Sequence, residues 1–163
     1  MGKGSGFVYL VAGGQNVGKS KIVIEMTKAS NRHTYVYDHR REYLERFGKS
    51  NCTIFYDREQ FFSKIPKMYN GNIIIEEGTT FLKFQKDDAM SDVLSGAFHN
   101  GNIIYILFHF VEAIPKYILS MSHVLILFRT GDDEALVQRT RPKLAKHLHK
   151  DKTPKFVKLQ EFN

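Results

Sequence analysis

The chain has 163 residues, 42% of them hydrophobic and 25% charged, which is the length and composition of one globular domain with a buried core. Thirteen Phe and eight Tyr exclude a disordered chain, and four Pro with twelve Gly exclude a collagen-like or low-complexity one. The single cysteine, Cys52, excludes an internal disulfide framework and a thiolate zinc site, which fits a reducing cytoplasm. The net charge of +7 is concentrated: residues 139–158 hold eight Lys/Arg against one acid, Asp151, and the rest of the chain balances at sixteen bases against sixteen acids. Either a solvated basic helix end or a surface facing a polyanion follows from this clustering.

Residues 1–6 lack the apolar stretch of a signal peptide and are expected to be a loose start. No apolar run approaches the roughly 18–20 residues that span a bilayer; residues 103–111 are interrupted by His109. Residues 7–12 (FVYLVA) form a short apolar run ending in Gly13-Gly14, the pattern of a strand buried on both faces and then a tight turn. A helix is predicted over 19–30, with Asn31 as its stop, then a strand over 34–37, a helix over 40–47 ending at Gly48, and a strand over 52–56. Phe61, Phe62, Ile65 and Met68 share one face of a helix predicted over 58–68, and Ile73-Ile74-Ile75 is a buried strand. A helix over 87–98, a strand over 103–108, a short helix over 114–121 opened by Pro115 and a strand over 123–128 follow. Pro142 interrupts any single helix in the remainder, and 156–159 suits an edge strand. Strands that alternate with helices in this way predict an α/β fold, a mostly parallel sheet with helices on both faces, formed by a single domain over 1–163 with 139–163 as its basic C-terminal segment.

Between the first strand and the first helix, Gly13, Gly14, Gln15, Asn16, Val17, Gly18, Lys19 and Ser20 satisfy the phosphate-loop pattern G-x-x-x-x-G-K-[ST]. Glycines let backbone N–H groups turn toward phosphates, and the helix presents its positive end to them. Lys19 is placed to bridge the β- and γ-phosphates and the Ser20 hydroxyl to hold Mg²⁺. Glu76 and Glu77 end the Ile73–Ile75 strand, where open α/β sheets bind ligands. Their side chains alternate, so one is expected to reach Mg²⁺ through water and the other to polarise the attacking water. The seven histidines form no tetrahedral ligand set with nearby Cys or carboxylates, and no N-K-x-D guanine element follows the phosphate loop.

The order of four segments resembles the HerA–FtsK class of DNA-pumping ATPases, which includes genome-packaging ATPases of membrane-containing viruses. These are the phosphate loop, the Asp38-x-x-x-Glu42-Tyr43 segment, the apolar strand ending in two acids, and Gly96-Ala97-Phe98-His99-Asn100-Gly101-Asn102-Ile103-Ile104. The likeness covers roughly residues 6–130. It implies a P-loop NTPase fold, ATP and Mg²⁺ as cofactors, and double-stranded DNA as partner. It also implies a homo-oligomeric ring with a hexamer as candidate size, and docking to a capsid or membrane-vertex protein. The location it implies is the cytoplasm, the host's for a viral chain, with virion association as a second site. The resemblance assigns Glu76 to Mg²⁺ and Glu77 to the attacking water, and three positions depart from the class: Glu76 stands for the usual Mg²⁺-directed Asp, His109 for the γ-phosphate-sensing Gln, and Phe98 for the Arg before His99. Arg129, after the last parallel strand, is the first candidate to reach a neighbouring subunit's nucleotide, with Arg139 and Arg141 as alternatives. The expected function is therefore an ATP-hydrolysing DNA translocase. A P-loop kinase acting on a small phosphate acceptor and a nucleotide-gated DNA-binding protein with little turnover are the competing readings.

Overall fold

The structure, a computed structural model, describes residues 5–42, 51–82, 87–151 and 153–159. Seven strands form one sheet in the order β3-β2-β4-β5-β1-β6-β7. They are β1 (Phe7–Ala12), β2 (Thr34–Tyr37), β3 (Cys52–Phe55), β4 (Asn72–Ile75), β5 (Ile103–Phe108), β6 (Val124–Leu127) and β7 (Lys155–Lys158). The first six pair in parallel, and only β7, on the edge beside β6, runs antiparallel. The helices among the described residues are α1 (Lys19–Ala29), α2 (Arg58–Lys64), α3 (Gly78–Phe81), α4 (Asp88–His99), α5 (Lys116–Met121), α6 (Glu134–Thr140) and α7 (Pro142–Ala145), of which α1 to α5 lie in crossovers that parallel strands need.

Period-two alternation divides each central strand between two apolar layers. Val8, Leu10, Ala12, Ile73, Ile75, Ile104 and Ile106 point to the side covered by α2, α4, α5, α6 and α7. Val11, Ile74, Tyr105, Leu107 and Ile126 point the other way, toward Val23 and Ile24 of α1. Coverage on both faces is why β1, β4 and β5 read as unbroken apolar runs rather than alternating ones.

Helix ends follow local chemistry. Asp57 caps α2 by accepting from the Gln60 N–H, Asp133 caps α6 by accepting from Ala135 and Leu136, and α1 ends as Asn31 turns left-handed at φ 51°. The helix expected over 58–68 becomes three-ten at Ile65–Lys67, where Pro66 lacks the N–H for a continuing α-turn. The expected helix over 40–47 does not begin at Arg40. Asp38 Oδ1 accepts from the Glu42 N–H, Arg41 turns left-handed at φ 60°, and residues 43–50 lie outside the described residues. The short α3, directly after the two acids, has no counterpart in the sequence reading.

The segment 96–104 serves the opposite, N-terminal end of the sheet. Buried Asn102 accepts from the Gly71 N–H at 2.9 Å and donates to the carbonyls of Met68 and Ala97 at 2.8 and 2.9 Å, tying α4 and the turn before β4 to the start of β5. Removing the carboxamide strips a partner from three buried backbone groups. Asn102→Ala is therefore expected to lower the unfolding free energy by about 3 kcal/mol, measured by urea denaturation; a loss below about 1 kcal/mol would show that water replaces the side chain.

Candidate functional site

Register brings the chemistry to one edge. β5 lies between β1 and β4, with Ala12 paired to Phe108 and Ile75 to Ile106. Residues following these three strands therefore emerge side by side: the loop 13–18 after β1, Glu76 and Glu77 after β4, and His109 after β5. Residues 15–18, Glu76 and His109 border a cleft of about 790 Å³, with Lys19, Ser20 and Arg40 also in its wall, whereas Glu77 lies behind the lining.

The loop 13–18 is held by contacts its glycines alone permit. A Cβ on Gly13 would stand 2.7 Å from Phe128 Cβ and 2.8 Å from Val17 Cγ2, and Gly18 has a left-handed φ of 104° immediately before α1. Its N–H groups are tied to neighbouring strands: Gly13 donates to the Phe108 carbonyl and Gly14 to the Arg129 carbonyl. Gly14 is different, because a Cβ there meets nothing closer than 3.6 Å. The first turn of α1 contains no acid and receives no side-chain cap from Gly18, so its N–H end is suited to an anion.

Lys19 is buried, and its ammonium donates to the carbonyls of Gly13 and Gly14, both at 2.7 Å. Burial lowers the pKa of this amine from its ordinary value, the charges of Glu76 and Glu77 oppose that shift, and Arg40 adds to it. The Ser20 hydroxyl donates to Glu76 Oε1 at 3.4 Å. Two hard oxygen donors at this separation suit Mg²⁺, so Ser20 and Glu76 fit the ion expected of them.

Glu77 is buried and faces a different set of groups. Its Oε1 accepts from His109 Nε2 at 3.3 Å and from Arg40 Nε at 3.1 Å. A carboxylate acceptor requires that Nε2 of His109 carry a proton. The backbone reaches this position because Gly78 packs on the Phe108 ring, where a Cβ would stand 2.6 Å from two ring carbons. The structure thus brings together Lys19, Ser20, Glu76, Glu77 and His109.

It places the arginines apart. Arg129 is exposed on the far side of the phosphate-type loop from Glu77, next to β6, and its side chain is outside the cleft lining. Arg139 is exposed in the last turn of α6. Arg141 is not available to a neighbour, which corrects its inclusion among the alternatives. It is buried, its Nη2 donates to the carbonyls of Ile114 and Glu112, and its Nε faces the Glu112 carboxylate. The other histidines have structural partners: His123 accepts from the Val8 N–H and stacks on Phe7 and Phe98, and His149 Nε2 donates to the Leu127 carbonyl.

Two residues of the site escape a sequence reading. Arg40 reaches Glu77 from the end of β2, a strand separated from it in sequence by β3 and α2. Asp132 accepts from the N–H groups of Val111 and Glu112 at 2.9 and 3.0 Å, tying the loop after His109 to the loop after Arg129. Arg40 occupies an unspecified position within the Asp38-x-x-x-Glu42-Tyr43 segment and Asp132 belongs to no motif; the signal of each is a charged residue beyond a strand end.

At the level of sequence, no family model and no curated protein matches the chain. Solved structures do match in fold. The genome packaging NTPase of Sulfolobus turreted icosahedral virus 2, in complex with AMP, aligns with a TM-score of 0.76 at 19% identity over 100% of this chain and 96% of that one. The N-terminal domain of zonular occludens toxin from Neisseria meningitidis aligns with a TM-score of 0.58 at 10% identity, covering 94% of this chain and 93% of that one. The pCW3 conjugation coupling protein TcpA, with ATPγS, aligns with a TM-score of 0.58 at 14% identity over 89% of this chain and 54% of that one. The chain therefore has the fold of the P-loop NTPases, and its resemblance to the HerA–FtsK class holds at the level of the fold.

The glycine contacts separate two substitutions that look alike in sequence. Gly13→Ala forces a methyl into Val17 and Phe128 and is expected to cost about 2 kcal/mol of stability. Gly14→Ala is expected to stay within about 0.5 kcal/mol of the parent. Denaturant midpoints of the two variants provide the comparison, and equal midpoints would contradict the packing described for Gly13.

Proposed function

We propose that this chain is an ATP-hydrolysing DNA translocase, with genome packaging as its role. The observation that carries the hydrolytic half is Glu77. This carboxylate is buried at a strand end across from the phosphate-type loop, with its Oε1 held by His109 and Arg40. A carboxylate at this strand end, held by two cleft-lining side chains, suits the role of base for an attacking water. In a kinase the same group would waste ATP, which disfavours that reading.

The residues divide the work as follows. Backbone N–H groups of residues 15–20 and the N-terminal end of α1 bind the phosphates, Gly13 and Gly14 anchor the loop that presents them, and Lys19 exchanges its two carbonyl partners for phosphate oxygens. Glu77 accepts a proton from a water that attacks the γ-phosphorus in line, as the bond from that phosphorus to the β–γ bridging oxygen breaks and ADP leaves. His109 donates from Nε2 to keep the carboxylate in place. Ser20 and Glu76 would hold Mg²⁺, which supplies charge neutralisation for the phosphate oxygens when bound. Arg129, exposed beside the loop, is the side chain for a neighbouring subunit's nucleotide in a homo-oligomeric ring, with a hexamer as the candidate size.

The DNA half rests on charge and on likeness. Lys143, Lys146 and Lys150 are exposed after α6, and Lys155 and Lys158 are exposed on edge strand β7. Phosphate contacts carry no sequence information, which suits a protein that must pass any sequence. The structures that share the fold include a viral genome packaging NTPase. Among the described residues no helix is long and apolar enough to cross a membrane; docking to a capsid or membrane-vertex protein, through other proteins or the tail, belongs to the same reading.

Purified Lys19→Ala is expected to lose hydrolysis, and Glu77→Gln to retain nucleotide while turnover falls by about a hundredfold or more, since an amide is a far weaker base. Trapping of nucleotide by Glu76→Gln instead would exchange the roles of the two acids. His109→Gln is expected to keep most of the rate, because its amide still donates, whereas His109→Ala is not; equal rates in both would return His109 to a packing role. Double-stranded DNA is expected to stimulate the ATPase. Replacing Lys143, Lys146 and Lys150 with Gln is expected to remove that stimulation and to flatten the dependence of log affinity on log salt by about 2.7, at roughly 0.9 per phosphate contact. An unchanged salt slope would assign this segment to solvent or to a protein partner.

A further inference from the structure

The two donors on Glu77 come from the strands on either side of it. In the sheet β4 lies between β2 and β5, Arg40 follows β2, and His109 follows β5. Both side chains reach the same carboxylate oxygen, Oε1, at 3.1 Å from Arg40 Nε and 3.3 Å from His109 Nε2. One donor would leave the carboxylate free to swing about its own axis. Two donors from opposite sides fix that axis and leave Oε2 outside both bonds.

The turn carrying Arg40 is itself built to aim it. Asp38, fully buried, accepts from the Glu42 N–H through Oδ1 at 3.0 Å and from the Arg41 N–H through its carbonyl at 3.3 Å. Arg41 adopts a left-handed φ of 60° and lays its guanidinium over the Tyr56 ring, 4.7 Å from the centroid. Consecutive arginines are thereby sent in different directions, Arg41 onto β3's end and Arg40 into the cleft. Arg40's charge is felt at Lys19, so it belongs to the same electrostatic site. Solvent screens this pair from the Arg40 side, where the side chain is 44% exposed, which limits its contribution to stability. Its contribution is orientation.

We infer that Arg40 is a positioning residue for hydrolysis: with His109 it clamps Oε1 of Glu77 so that Oε2 faces the attacking water, and Asp38 acts by shaping the turn that delivers Arg40. This inference rests on the assignment of Glu77 as the base. Arg40 acts through Glu77, not on the nucleotide, and that separates it from an arginine that binds phosphate.

The test is a kinetic double-mutant cycle on the full chain, with nucleotide affinity measured independently by a fluorescent ATP analogue. Arg40→Gln is expected to lower kcat by about tenfold, the scale of a modest misplacement of a reacting group, while the dissociation constant of the analogue changes by less than about twofold. Arg40→Lys, which keeps a donor but not the guanidinium fork, is expected to recover part of the rate. In a Glu77→Gln background, Arg40→Gln is expected to cause no further loss, because the group it positions has already gone. A tenfold loss of analogue affinity in Arg40→Gln would make Arg40 a phosphate ligand and overturn the inference. So would an undiminished kcat, or losses that multiply in the double variant. Full activity in Glu77→Gln alone would remove the base assignment and this inference together, whereas an inactive Glu77→Gln beside a fully active Arg40→Gln would remove only the role of Arg40.

Discussion

The pairing of β5 between β1 and β4 is the constraint on which the site depends. Parallel strands in register end at a common edge, and there the loop after β1, the acids after β4 and the histidine after β5 converge. A slip of one residue would turn every side chain of β5 to the opposite face. Both faces are apolar and covered, so alternation of polarity alone does not set this register. Close contacts at the strand ends do. Gly78 lies against Phe108 where no side chain fits, and Asn102 fastens the other end of β5 to α4 and the turn before β4.

Electrostatics within the cleft follows from how deeply each group is placed. Lys19 is nearly inaccessible, so its charge is sustained by two loop carbonyls and by the nearby carboxylates rather than by water. The two adjacent acids are separated by alternation at the strand end: Glu76 meets the Ser20 hydroxyl, whereas Glu77 meets the nitrogen donors of Arg40 and His109. Neighbours in sequence thus acquire different hydrogen-bond partners, a hydroxyl at Glu76 and two N–H groups at Glu77.

The positive charge near the C-terminus is not one uniform patch. Arg141 is drawn inward to bind the carbonyls of Glu112 and Ile114, and its burial lowers the pKa of its guanidinium from the ordinary value. The lysines remain outside, on the segment after α6 and on the edge strand β7. Charged residues on an exposed edge also discourage another strand from pairing there. Asp132 joins the loop that follows Arg129 to the loop that follows His109, so the two flanks of the β1 loop are mechanically connected.

The α/β class, the strand positions and the phosphate-type loop are local properties, and the sequence by itself determined them. Apolar runs such as Ile73–Ile75 are too short and too β-branched for helices, and Gly13 to Ser20 stands between a strand and a helix. The two acids after β4 are legible for the same reason, since a polar pair ending a buried run marks the sheet edge. Strand order was decided only in the tertiary structure, because it depends on which crossovers pack on which face. The partnership of Arg40 with Glu77 required β2 to lie beside β4, and the burial of Arg141 required the loop before α5 to present its carbonyls. Both arginines look alike as surface charges in sequence. Their roles differ because a guanidinium goes wherever folding leaves acceptors unmatched, and that is settled by contacts between segments far apart in the chain.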